Sequence, residues 1–295
     1  YDRPLQDIFA LQDEVVRKIV TTLRLQLTLR EQGYLVRKTT DNLEAYDLVM
    51  RALPHLWAHR MHENPEAIAL LDRSLKLDPN YGLAAALCAW ARAQQIVYNW
   101  TDDVEGERRK GLALIETAAR HIGDDATGLT ALGTAVMLLE GNARRALGFV
   151  ERAVMVDPNH AWAWMRRGFG LVYTGRPEEG LKAFARAERL SPLDPFTFNM
   201  HIGIGLAHFA AGRYAEAIRY PQMVLDERPG LTWPYRDLAA YKAQMGDMDG
   251  ARDALEKFVY LRPPLSLASI ADGLKFMEGP LLDRYIEGLR LAGME

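Results

Sequence analysis

Proline recurs along this chain at a spacing that only a stacked repeat explains. Pro79, Pro158, Pro192, Pro229 and Pro263 each follow an apolar stretch of helical period, and Gly123 takes the same place in a weaker sixth copy. Pro158 and Pro192 are 34 residues apart, as are Pro229 and Pro263. Between Pro192 and Pro229 the step is 37 residues, which places a three-residue insertion near 194–197. Other positions keep the same register. A small residue stands twelve positions before each marker: Ala67, Gly111, Ala146, Gly180, Ala217 and Ala251. Five positions before each marker stand Ser74, Ala118, Ala153, Ala187, Val224 and Phe258. Four copies add Gly141, Gly175, Gly212 and Gly246, each five residues before the small position.

The pattern describes a helix pair. Glycine ends the first helix because it takes the left-handed cap without a Cβ penalty. The small residue lets the second helix approach the first, and the terminal proline stops the second helix. A single pair cannot bury its apolar stripe, so neighbouring pairs must stack. The expected fold is all-α: a right-handed α-solenoid of about six helix pairs over 43–80, 82–124, 127–159, 161–193, 198–230 and 232–264. In the copy at 82–123 the first helix is longer and is followed by an inserted turn at 98–103, with Thr101 or Asp102 as the next N-cap.

Both ends lie outside the repeat. Segment 7–31 is expected to form an amphipathic helix with Ile8, Leu11, Val15, Ile19, Leu23 and Leu27 on one face and Asp7 as its cap. Its polar face mixes Asp13 and Glu14 with Arg17 and Lys18, a poor match to a membrane surface. It reads as a helix that docks on the array or on an upstream domain, with dimerisation as the alternative, and 1–38 is taken as this helix plus linker. At the other end, 266–295 reads as a capping segment. Its helix carries Leu282, Tyr285, Ile286 and Leu289 on one side to cover the last exposed stripe.

Trp164, Gly168, Gly175, Gly180, Phe184, Ala187 and Pro192 resemble the tetratricopeptide signature, and the resemblance extends over 43–263. Gly180 departs from the alanine usual in that family, which is expected to loosen its helix. The strings YDRPLQDIFALQDEVVRKIV, TDNLEAYDLVMRA and IEGLRLAGME resemble bacterial signalling proteins in which a TolB-like region precedes the repeats. In those proteins the upstream part is commonly a class III adenylate/guanylate cyclase domain. Others carry a winged-helix DNA-binding domain, sometimes followed by a membrane helix. The resemblance implies a regulatory C-terminal region that scaffolds protein–protein contacts. The alternatives are the sensor of a winged-helix transcriptional regulator and a free-standing adaptor.

The same resemblance implies that first helices line a groove for a protein or peptide, including the chain's own upstream domain. The groove candidates are Trp162, Met165, Phe169, Val172, Tyr173, Ile202, Leu206, Phe209, Trp233 and Arg236, a lining suited to a polypeptide ligand. Packing between adjacent repeats is the competing role for each of them. The family's Lys/Asn/Arg clamp for acidic C-termini is not matched here.

Little in the chain suggests chemistry. His55, His59 and His62 with Glu63 have spacing that could hold zinc, but they fall where imidazolium complements a helix C-terminus. Asp102, Asp103 and Glu105, like Asp124 and Asp125, open predicted helices and read as caps rather than as acid/base pairs. Cys88 sits in an alanine-rich helix as a small apolar residue. No catalytic residue, metal or cofactor is expected. With 36 basic against 39 acidic residues, a net charge of −3 gives no footprint for nucleic acid. No apolar run is long enough to cross a bilayer. A chain that starts at Tyr1 is expected to be part of a longer product, cytoplasmic unless a membrane helix precedes it, in which case periplasmic.

Overall fold

The computed structural model describes residues 40–194, 196–260 and 265–295, so segment 7–31 lies outside them. Every regular element among the described residues is helical. The helices are α1 (Leu43–Ala58), α2 (Asn64–Leu77), α3 (Gly82–Val97), α4 (Val104–His121) and α5 (Ala126–Ala135), which runs on into a π-helical turn at Val136–Glu140. Then follow α6 (Ala143–Val156), α7 (Ala161–Tyr173), α8 (Pro177–Leu190), α9 (Thr197–Ala210) and α10 (Tyr214–Glu227). The last four are α11 (Trp233–Met245), α12 (Met248–Tyr260), α13 (Leu267–Gly273) and α14 (Pro280–Leu291). The described residues divide into two compact units, one of residues 40–140, 148–163 and 189–194, the other of 141–147, 164–188, 196–260 and 265–295.

In the first unit α3 is buried without interruption from Gly82 to Gln95. It starts hard against the end of α4: a Cβ on Gly82 would stand 2.6 Å from the His121 carbonyl carbon. Trp57, Trp90 and Trp162 form the centre of this core, with ring centroids 4.7 to 5.3 Å apart in tilted and edge-on pairs. Such geometry favours the aromatic quadrupoles beyond simple area burial.

Several polar side chains are buried here with partners. Ser74 donates to the Ala45 carbonyl across the α1–α2 pair. Asn64 Nδ2 bonds Gln94 and the Ala91 carbonyl, while Gln95 donates to Asn64 Oδ1. Arg92 reaches Asp72 at 2.7 Å and Glu107 at 2.6 Å while only 6 % exposed. Two carboxylates around one guanidinium keep that charge satisfied where an isolated one would be costly.

The turn before α4 corrects the expected cap. Asp103, not Thr101 or Asp102, is the N-cap, accepting from the Gly106 amide at 3.0 Å. Thr101 instead accepts from the Asp103 amide and shapes the preceding turn. Asp125 caps α5 by accepting from Gly128, and Asp124 pairs with Arg152.

In the second unit Phe184 of α8 is a fully buried wedge. Its ring occupies the space that a side chain at Gly168 or Gly203 would need, with ring carbons 2.5 to 2.6 Å from the ideal Cβ positions. Gly180 has its own reason to lack a Cβ: Val172 Cγ2 would lie 2.6 Å away and the Gly168 carbonyl oxygen 3.0 Å away. The absent methyl is what lets α8 approach α7, so this position is a close contact between the two helices. Pro221 lies inside α10 without ending it, and Gly205 of α9 gives room to its Cδ.

The turn glycines behave as backbone devices. Gly175, Gly212 and Gly246 have φ of 80, 76 and 94°, and no atom stands within 4 Å of a Cβ added at any of them. Conformation alone therefore selects glycine there. Gly212→Ala is expected to cost about 1 kcal/mol in chemical denaturation, the left-handed penalty for an L side chain. A neutral or stabilising result would contradict that assignment.

Candidate interaction surface

Several residues expected to line an open groove are instead core residues. Trp162 belongs to the tryptophan cluster of the first unit and is fully buried. Met165, Phe169, Val172 and Leu206 are buried in the second unit, with Phe169 edge-on to Phe184 at 5.2 Å. Amphipathic spacing places them on the inner side of a first helix, but pair stacking has already covered that side. Ile202 and Trp233 remain partly exposed. Trp233 stands 6.4 Å from Phe198, whose ring is also covered by the Arg228 guanidinium at 4.2 Å.

Tyr173, Phe209 and Arg236 have a different fate. Each meets the segment that follows α12. The Tyr173 ring lies 4.7 Å from Phe276, and the Tyr173 carbonyl accepts from the Glu278 amide at 2.9 Å. Phe209 stacks on Tyr241 at 4.5 Å and meets Tyr285 edge-on at 5.9 Å. Arg236 donates through Nε to the Tyr285 hydroxyl at 3.0 Å, and its guanidinium also lies 5.7 Å from that ring's centroid.

Tyr285 is the centre of this contact. It is fully buried, and its hydroxyl donates a short hydrogen bond to Asp237 Oδ1. Burial pushes the Asp237 carboxyl above its ordinary range, while Arg236 beside it pulls the other way. Burial likewise raises the Tyr285 and Tyr241 phenols well above the usual value, so Tyr285 stays a donor. Further along, Gln244 donates to the Arg284 carbonyl and Arg284 Nη2 to the Ala210 carbonyl. Gly288 rests on the backbone of Ala240, whose oxygen would stand 2.5 Å from a Cβ there. Arg144 binds Glu278 through both Nε and Nη2 at 2.7 to 2.9 Å, and Lys275 lays its alkyl chain over Gly141.

The histidine cluster separates. His55 Nδ1 lies 2.5 Å from Glu63, and that contact holds the Glu63 carboxyl below its ordinary value. His59 caps α1 in the left-handed region and turns its ring edge-on towards Tyr98 and Trp100, 4.6 and 5.8 Å away. His62 is exposed and lies 3.7 Å from Glu63. No group of three candidate metal ligands forms among the described residues. Cys88 is fully buried, with Sγ 3.4 Å from Asp72, and burial drives its thiol far above a reactive range.

Two features escaped the sequence reading. Arg92 looks like any charged residue on a helix until α2 and α4 bring carboxylates to it. Asp237 offered a faint signal, since a carboxylate on the buried side of an apolar helix requires a partner. Its partner, 48 residues away, is visible only in the fold.

No family model matches the chain. A stretch of 136 residues is 32% identical to the protein named "Putative adenylate cyclase 3" of Rhizobium meliloti (strain 1021), covering 46% of this chain and 23% of that protein. A stretch of 157 residues is 28% identical to the human protein O-mannosyl-transferase TMTC1, covering 50% of this chain and 16% of the relative. The matches thus span less than a quarter of either relative. Among solved structures, a tetratricopeptide repeat protein from Parabacteroides merdae is 16% identical with a TM-score of 0.48, over 85% of this chain and 99% of that one. The structure of YrrB, described as a TPR protein with an unusual peptide-binding site, is 22% identical with a TM-score of 0.39, over 57% and 79% of the two chains. The chain resembles tetratricopeptide repeat proteins, a reading carried by its own helix pairs with left-handed glycine turns. No helix of the described residues is long and apolar enough to cross a membrane.

Proposed function

We propose that this chain is a protein-interaction scaffold that serves as the regulatory arm of a nucleotide cyclase. The observation that carries the cyclase assignment is the 32% identity to the Rhizobium meliloti protein over 136 residues. The scaffold reading is supported by the architecture. Helix pairs present first-helix side chains, Tyr and Arg among them, to another polypeptide segment in the second unit. Tyr and Arg are the side chains that dominate polypeptide interfaces. The arm performs no nucleotide chemistry; it acts by binding, and through binding it shifts the activity of the domain it is joined to.

The test uses the full-length protein that contains this chain. Deleting residues 43–265 should change the rate of ATP conversion to cyclic AMP by about 5- to 150-fold, the usual size of a coupling between sites. The isolated chain should convert no ATP. An unchanged rate after deletion, or the lack of any cyclase domain in the full-length protein, would remove the regulatory assignment.

A further inference from the structure

We propose that the first-helix face of the second unit is a polypeptide-docking surface already occupied in cis by segment 274–291, which a partner helix of similar chemistry displaces. This rests on the scaffold reading and names the surface and the kind of partner.

The path of the segment carries the argument. From Lys275 to Gly288 it meets Gly141 and Arg144, then Tyr173, then Ala210, then the middle of α11. It therefore passes the C-terminal ends of the first helices α7 and α9 and then the middle of α11, in chain order, lying along the unit rather than adding one more pair to it. Three residues expected from sequence to hold a partner, Tyr173, Phe209 and Arg236, each contact Phe276 or Tyr285 of this segment. A surface that looks prepared for a polypeptide has one seated on it.

The contacts also have the character of an interface. A bidentate Arg144–Glu278 pair fixes one end, with Arg144 77% exposed and therefore within reach of water. A tyrosine hydroxyl on Asp237 under an arginine fixes the other end. Between them stand backbone acceptors, the carbonyls of Tyr173 and Ala210, which any chain with matching donors can use. The displacing partner is accordingly a helix preceded by an acid for Arg144, carrying a buried tyrosine for Asp237 and a glycine one turn later. The glycine is required because Ala240 leaves no room for a Cβ.

The test keeps the whole chain and adds a fluorescent peptide of residues 266–295. Its affinity is compared for the wild-type chain and a chain carrying both Glu278→Arg and Tyr285→Phe, which weaken the cis contact but leave the surface intact. The variant should bind the wild-type peptide about tenfold more tightly or better. In parallel, hydrogen exchange on the wild-type chain should show α14 amides opening while α9 and α11 stay protected. Equal peptide affinity for both chains, exchange of α14 in step with α9 and α11, or loss of helix in the variant would each make the segment a permanent part of the core. None of these readouts involves a cyclase. A chain that exchanges its segment but regulates no cyclase would overturn the assignment above and leave this inference standing, and the reverse result would do the opposite.

Discussion

Phe184→Ala is expected to destabilise the second unit by about 3–5 kcal/mol, the usual range for truncating a fully buried phenylalanine. The effect should fall at the high end because the cavity cannot collapse. The ring sits between α7 and α9 where Gly168 and Gly203 contribute no side-chain atoms, and Phe169 packs edge-on against it. In urea unfolding the midpoint should drop while the first unit, whose core is built on Trp57, Trp90 and Trp162, keeps its own transition. A loss below about 1 kcal/mol would mean that the ring is not wedged between the helices. Adding Gly168→Ala to the truncated protein should restore part of the loss, because the three atoms nearest the new methyl all belong to the removed ring.

The second large effect is a loss of stability in acid, governed by His160. This imidazole is buried, and its Nδ1 accepts from the Ala163 amide at 3.2 Å, capping α7. An acceptor at Nδ1 requires the proton on Nε2, which then donates to Thr127 Oγ1 at 3.0 Å. Protonation would place a second N–H against the Ala163 donor and a charge in an apolar site. Burial accordingly pushes the group down from 6.5 to about 4, with Asp157 pulling the other way. In the unfolded chain the histidine titrates near its ordinary value. As the pH falls below 6.5, the unfolded state takes up a proton that the folded state refuses, so the stabilisation present at neutral pH is lost progressively down to about pH 4. The total for a shift of this size is about 3 kcal/mol. His160→Asn keeps a capping acceptor and removes the titration. Between pH 6.5 and 4 the difference in unfolding free energy between wild type and His160→Asn should therefore drift by about 3 kcal/mol in favour of the variant. A pH-independent difference would show that the imidazole is solvated.

Both predictions involve residues that the repeat pattern treats differently. Phe184 belongs to the signature residues that marked the resemblance, so its burial was legible from its register. His160 precedes a predicted first helix, and its spacing gave no hint of a cap. The cap exists because α5 brings Thr127 to the other side of the ring.

The sequence by itself determined the all-α class, the glycine turns and the small positions where helices touch. These depend on local requirements: a left-handed φ at Gly175, Gly212 and Gly246, and a missing Cβ at Gly180. Such requirements leave their mark at a single position and repeat with the unit. The tertiary structure alone decided which inward-facing side chains are spent on packing and which remain for a partner. Trp162, Met165 and Phe169 share their helix face with Tyr173, and no periodicity separates them. The difference arises because stacking covers the first three, whereas Tyr173 lies at a helix end where segment 274–291 returns across it. The same return path brings Tyr285 to Arg236 and Asp237. Contacts between residues so distant in sequence depend on the path of the chain, which no local pattern encodes.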